Sequence, residues 1–122
     1  MSSKVLVVDD SMMVRQQVTR ALVGAGYEVT AATDGVDALE KFAQSPETKL
    51  VVCDVNMPRM SGLELLEELR VARKSQVPFV MLTTEDQADM VARAKALGAN
   101  GWIVKPLKLE ILLNTAKKLT AA

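Results

Sequence analysis

Residues 5–10 read Val5-Leu6-Val7-Val8-Asp9-Asp10, and residues 50–54 read Leu50-Val51-Val52-Cys53-Asp54. Each is a short, uniformly apolar, β-branched run that stops at a carboxylate. An unbroken apolar run of this length suits a strand covered on both faces. Glu28 to Ala32, Pro78 to Leu82 and Gly101 to Val104 read as three more strands. The segments between them carry helical spacing. Met12 to Ala25 reads as a helix closed by Gly24 and Gly26. Val36, Leu39, Phe42 and Ala43 recur on one helical face. Ser61-Gly62-Leu63-Glu64 has the form of a capping box and opens a helix bearing Leu63, Leu66 and Leu69. Thr84 and Gln87 have the same spacing before a helix that Gly98 closes, and a last helix carries Leu109, Leu112, Ala116 and Leu119.

Five strands thus alternate with five helices through short links. That order calls for right-handed crossovers and a parallel sheet with helices on both faces. The predicted fold is a doubly wound, flavodoxin-like (β/α)5 sheet, strand order 2-1-3-4-5, forming a single domain over residues 1–122. At this length a chain hides roughly two-thirds of its unfolded surface, enough for one core. The composition, 49% hydrophobic and 25% charged, is that of an ordinary globule.

The same composition excludes several classes of function. Fifteen basic residues balance fifteen acidic ones, so there is no charge excess for nucleic acid or a membrane surface. No apolar run reaches the roughly 18 residues of a membrane span, and the N-terminus has no signal-peptide core. A cytoplasmic location is expected. Histidine is absent and Cys53 is the only cysteine. These facts exclude a histidine-assisted serine or cysteine nucleophile, an internal disulfide and a cysteine-based zinc site. Cys53 itself reads as an inert packed residue. Gly24-Ala25-Gly26 follows a helix rather than a strand, so it is no dinucleotide loop.

In an open parallel sheet, ligands bind beyond the carboxyl ends of the strands. Those ends carry Asp9 and Asp10, Asp54, Thr83 and Lys105. Taken singly, each reads as a cap, a turn or a surface charge. The topology gathers them into one crevice. Three carboxylates at close range repel one another, and a hard cation relieves that repulsion. Oxygen ligands too few for a calcium cage suit Mg²⁺. A carboxylate nucleophile, a metal, a lysine and a hydroxyl donor are the parts that phosphoryl transfer to aspartate needs.

The chain resembles a response-regulator receiver domain of the stand-alone chemotaxis, or CheY, type. The matching segments are Val8-Asp9-Asp10-Ser11 with Arg15, Asp54-Val55-Asn56-Met57-Pro58 with Gly62, Thr83-Thr84-Glu85, and Gly98-Ala99 through Lys105-Pro106. The resemblance implies that Asp54 accepts a phosphoryl group from a histidine kinase. It implies that Asp10 and Asp54 touch Mg²⁺, that Asp9 acts mostly through water, and that Asn56 lends a backbone carbonyl. Thr83 and Lys105 would bind the phosphoryl group, and Lys105-Pro106 would be a cis peptide. Trp102 matches the switch aromatic, where tyrosine or phenylalanine is usual; Leu107 stands where phenylalanine is frequent. Asn56 and Glu85 match the pair that flanks the site in rapidly self-dephosphorylating chemotaxis regulators. The resemblance also implies an output partner, such as a flagellar-switch or motility component, on the face of helix four, strand five and helix five. Asp86, Val91, Trp102, Thr115 and Lys118 are the candidates there. Met12, Met13, Met57 and Met60 are candidates for the rim of the crevice.

Rival readings remain separable. A phosphoryl sink or relay would share every one of these residues. A Mg²⁺-dependent phosphohydrolase working through an aspartyl-phosphate would need a specificity domain that does not fit this length. A DNA-binding regulator is disfavoured by charge neutrality. No enzymatic turnover beyond the chain's own phosphorylation and dephosphorylation is expected, nor an obligate oligomer. A phosphatase partner is compatible with the family.

Overall fold

A computed structural model describes residues 3–57, 59–84 and 88–121. Among these, five parallel strands form one sheet in the order β2-β1-β3-β4-β5. The strands are β1 (Lys4–Val8), β2 (Glu28–Ala32), β3 (Leu50–Asp54), β4 (Phe79–Thr83) and β5 (Gly101–Val104). The helices are α1 (Met12–Gly24), α2 (Gly35–Gln44), α3 (Gly62–Glu67), α4 (Ala88–Ala96) and α5 (Leu109–Thr120). The expected doubly wound topology is therefore the observed one.

Alternation along the strands divides the core in two, because successive side chains point to opposite faces. Leu6, Val8, Val51, Cys53, Phe79 and Met81 pack with Ala38 and Phe42 of α2, Leu65 and Leu66 of α3, and Ala94 of α4. Val5, Val7, Leu50, Val52, Val80, Leu82 and Ile103 pack on the other face with Val18 and Leu22 of α1 and Leu112 and Ala116 of α5. β1, β3 and β4 are central and covered on both sides, which explains their unbroken apolar sequence. The edge strands differ. On β2, Glu28 and Thr30 are exposed. On β5, Ile103 is buried while Trp102 and Val104 are exposed.

Element ends depart from the sequence reading by small amounts. The first helix stops at Gly24, and the Ala25 N–H caps it by bonding back to Ala21 and Leu22. Strand four starts at Phe79 rather than Pro78 and takes in Thr83. The helix opened at Ser61 is interrupted after Glu67 by a π-helical turn, Glu68–Ala72. Periodicity alone does not reveal such a turn, because Leu63, Leu66 and Leu69 satisfy either helix. The capping box is present: Ser61 Oγ accepts from Glu64 N at 3.2 Å, and Ser61 N donates to Glu64 Oε1 at 3.1 Å. Gln87, the expected partner of Thr84, lies outside the described residues, as do Pro58, Glu85 and Asp86.

Gly62 fixes how the chain leaves β3. Its N–H donates to Val55 O at 3.0 Å. A Cβ there would collide with the Asp54 carbonyl oxygen and meet Val55 Cα at 3.1 Å. Both obstacles are backbone and cannot swing away. Gly62→Ala is expected to destabilise the fold by about 2 kcal/mol through this overpacking, measured by denaturant unfolding.

Candidate functional site

β1 and β3 are neighbours in the sheet, with Val8 paired to Cys53, so Asp9 and Asp54 emerge side by side. β4 runs beside β3, with Asp54 paired to Leu82, and Thr83 follows. β5 pairs Val104 with Thr83, and the Lys105 N–H donates to Thr83 O at 2.6 Å. Four strand ends thus converge on one point. Carboxylate oxygens of Asp9, Asp10 and Asp54 lie within 4.8 Å of one another. Asp9 and Asp54 are buried, and Asp10 is exposed.

Lys105 Nζ reaches into this group. It donates to Asp54 Oδ1 at 3.2 Å and stands 3.6 Å from Asp9 Oδ2. Asp9 is held from several sides. Its Oδ1 accepts from Ser11 N at 2.9 Å, and its backbone carbonyl accepts from Arg15 Nη1 at 2.7 Å. Ser11 in turn caps α1 by accepting from Val14 N. Among the described residues, Asp9 Oδ2 and Thr83 Oγ1 are buried side-chain oxygens without a hydrogen-bond partner. Both belong to the crevice. Buried polar atoms are normally paired, so two orphans at one place suit a polar ligand.

Charge tells the same story. Burial pushes the Asp9 carboxyl above its ordinary range; the Ser11 N–H and Lys105 oppose that, while Asp54 and Asp10 add to it. Burial alone would lower Lys105, but Asp54 and Asp9 outweigh it and hold the ammonium above its usual pKa. Lys105 is therefore fully charged at neutral pH. The Cys53 thiol is pushed well up by burial, with Asp54 and Asp9 contributing, which keeps it an unreactive thiol beside the site.

The donor set fits a small hard cation. It is made of oxygens, carries excess negative charge, and has an exposed side at Asp10 where retained waters can sit. The three carboxylates could hold a metal ion, and Mg²⁺ is the cation such a set suits.

The other candidates occupy different places. The Asn56 side chain is exposed on the loop after β3. Lys105-Pro106 is a cis peptide. Trp102 is 41% exposed on the open face of β5, with Val104 beside it on the same face. Val91 on α4 and Thr115 on α5 are half-buried, and Lys118 is exposed. Met12 and Met13 are exposed at the start of α1, whereas Met57 and Met60 pack against the core on the α2–α3 side. Glu85 and Asp86 lie outside the described residues.

Sequence reading passed over two residues of this region. Asp34 caps α2, accepting from Asp37 N at 2.9 Å, and its carboxylate holds both Nε and Nη2 of Arg59 at 2.8 and 3.1 Å. An aspartate just before the helical spacing of α2 was the available signal for the cap. Nothing local in the sequence signals the arginine that meets it.

A sheet of this order with an acid pair, a third aspartate, a threonine and a lysine at its carboxyl edge defines a class. The chain belongs to the response regulator receiver domain family, whose model matches residues 5–117. It is 40% identical over 121 residues to chemotaxis protein CheY1 of Helicobacter pylori, covering 92% of this chain and 98% of that protein. It is 43% identical over 106 residues to chemotaxis protein CheY of Treponema pallidum, covering 85% and 73% of the two chains. The structure of chemotaxis response regulator CheY4 of Vibrio cholerae superposes with a TM-score of 0.88 at 43% identity, covering 98% of this chain and 99% of that one. Among the described residues, no helix is long and apolar enough to cross a membrane.

Asp9 gives a stability test without added metal. Its folded pKa lies above the ordinary 3.8, so the native state binds the proton more tightly than the unfolded chain. That contribution is present at low pH and is lost as pH rises through the folded value. Above that value the ionised Asp9 therefore weakens the fold. Asp9→Asn, which keeps an acceptor for Ser11 N, is expected to stabilise the metal-free protein by about 1 kcal/mol in neutral-pH denaturant unfolding. The gain is expected to shrink as pH is lowered towards the carboxylate range.

Proposed function

We propose that this receiver domain is a phosphorylation switch of the chemotaxis type, with Asp54 as phosphoacceptor and a histidine kinase as donor. The observation that carries the reading is the position of Lys105 between Asp54 and Asp9, beside the orphaned oxygens Asp9 Oδ2 and Thr83 Oγ1. An oxygen of Asp54 attacks phosphorus, the donor's P–N bond breaks, and an acyl phosphate remains on Asp54. Lys105 moves from the carboxylate to a phosphoryl oxygen, where its fixed positive charge offsets charge spread over the transferring group. Thr83 supplies its hydroxyl hydrogen to the same group, which gives the buried Oγ1 its partner. Asp9, Asp10 and Asp54, with the Asn56 backbone carbonyl, would hold Mg²⁺. When bound, Mg²⁺ neutralises the carboxylates and acts as a Lewis acid on the phosphoryl oxygens.

The output face is the open side of β5 with α4 and α5. Trp102, Val91, Thr115 and Lys118 lie on these elements, and the exposed Trp102 and Val104 give the face an apolar centre. A phosphoryl group can favour one state of that face only through contacts that differ between the two states. Thr83 connects the site to the face, because it pairs with Val104 two residues beyond Trp102. The partner is a motility or flagellar-switch component, as the similarity to chemotaxis regulators suggests. Asn56, together with Glu85, tunes a short phosphoryl lifetime. We also place the whole function within this one domain, without turnover of an external phosphate ester.

Incubation with acetyl phosphate tests the chemistry. Intact mass spectrometry is expected to show one phosphoryl adduct that requires Mg²⁺ and disappears in Asp54→Asn. Lys105→Ala is expected to lower the rate of adduct formation by about 100-fold, the order of effect for losing one charge-stabilising donor. An adduct that survives in Asp54→Asn would move the acceptor elsewhere. Steady release of phosphate from simple monoesters would point instead to a hydrolase.

A further inference from the structure

Residues 55–57 and 59–61 lie between β3 and α3, and Asn56 is among them. Two of them are pinned through backbone: Gly62 N donates to Val55 O at 3.0 Å, and Gly35 N donates to Met60 O at 3.2 Å. Gly35 is needed for that second contact, because a Cβ would stand 2.6 Å from Met60 Cγ and 2.8 Å from Met60 O. Between the two pins, Arg59 adopts a left-handed φ of 63°, a conformation that favours glycine. Arginine has no local reason to occupy that position. Its side chain explains it. Nε and Nη2 form a fork on the Asp34 carboxylate at 2.8 and 3.1 Å.

This pair is unlike an ordinary surface ion pair. Exposed pairs contribute little because two free side chains must be ordered in water. Here the acceptor is only 7% exposed, although the Arg59 side chain is 60% exposed. Asp34 is already fixed as the cap of α2. The Arg59 guanidinium holds the Asp34 carboxyl below its ordinary pKa, against the opposing effect of burial. A two-point contact to an immobile carboxylate orients as well as attracts. It ties the turn after β2 to the loop after β3, at the same edge of the sheet as the acidic crevice.

We infer that Asp34 and Arg59 form a positioning latch that restrains the chain at Arg59 and Met60, on the way from Asn56 to α3, and thereby sets the Mg²⁺ affinity of the crevice. The inference rests on the reading of the crevice as a Mg²⁺ site. Neither residue touches the metal. The latch acts by holding the Asn56 backbone in place before binding, so that binding need not order the loop.

The test is titration of the unphosphorylated full chain with MgCl₂, followed by calorimetry and by amide NMR shifts, with the thermal midpoint recorded for each variant. Arg59→Gly keeps the left-handed backbone accessible and removes the side chain with its guanidinium. Asp34→Asn keeps an acceptor for the α2 cap and removes the charge. Each is expected to bind Mg²⁺ about 10-fold more weakly, the scale typical of losing an outer support of a metal site. The double variant is expected to be no weaker than either single one, since both break the same link. Arg59→Lys is expected to recover part of the affinity. In the metal-free protein, the amide shifts of Asn56 and Met57 are expected to move in Arg59→Gly. Wild-type Mg²⁺ affinity in folded Arg59→Gly and Asp34→Asn would overturn the latch and leave the metal site standing. Wild-type affinity in Asp10→Asn would remove the metal site, and the latch with it.

Discussion

Lys105 stands 3.2 Å from Asp54 and 3.6 Å from Asp9, at a place where two carboxylates are buried and a third lies within ligand distance. The negative charge there exceeds what one ammonium offsets. Taking carboxylates out of water is costly unless each is paired and hydrogen-bonded, and here Asp9 Oδ2 lacks a hydrogen bond. Burial raises the Asp9 pKa, and the charges of Asp54 and Asp10 add to that rise. A cation and a phosphoryl group would each correct part of this imbalance. In the proposed reading a metal would meet the carboxylates, and phosphoryl oxygens would meet Lys105 and Thr83. A charge imbalance of this kind suits ligand binding better than it suits the stability of the fold.

The rest of the molecule makes that imbalance tolerable. β3 and β4 are buried along their whole lengths and β1 from Val5 to Val8, and roughly 1.5–3 kcal/mol per large buried side chain is available from such burial. The parallel register then delivers Asp9, Asp54, Thr83 and Lys105 to one edge without further design. Gly62 lets α3 begin directly behind Asp54, and the Asp34–Arg59 pair restrains the loop in front of it. The edge strand β5 is the exception to full coverage. It leaves Trp102 and Val104 open to solvent, three residues and one residue before Lys105. Site and open face therefore share one strand.

Much of this could be read before the structure. The central strands were legible because full burial forces unbroken apolar runs, and strand-end chemistry was legible because topology fixes where those ends meet. The capping box at Ser61 was legible because its two partners are three residues apart. What escaped has a common physical cause. The Asp34–Arg59 pair joins residues 25 apart in sequence, so neither residue's neighbours mention the other. The π-helical turn after Glu67 leaves the apolar spacing intact, so periodicity passes through it. The opposite fates of the methionines, with Met13 exposed and Met57 packed on the core, depend on tertiary contacts that composition does not carry.

The central claim is that uncompensated carboxylate charge at the crevice is met by a divalent cation. The most direct measurement is the thermal midpoint as MgCl₂ is raised at constant ionic strength, balanced with NaCl. The expected result is a saturable rise with Mg²⁺, as for any ligand that binds only the folded state, that is lost in Asp10→Asn. A midpoint that does not respond to Mg²⁺, or that rises equally with sodium alone, would contradict it.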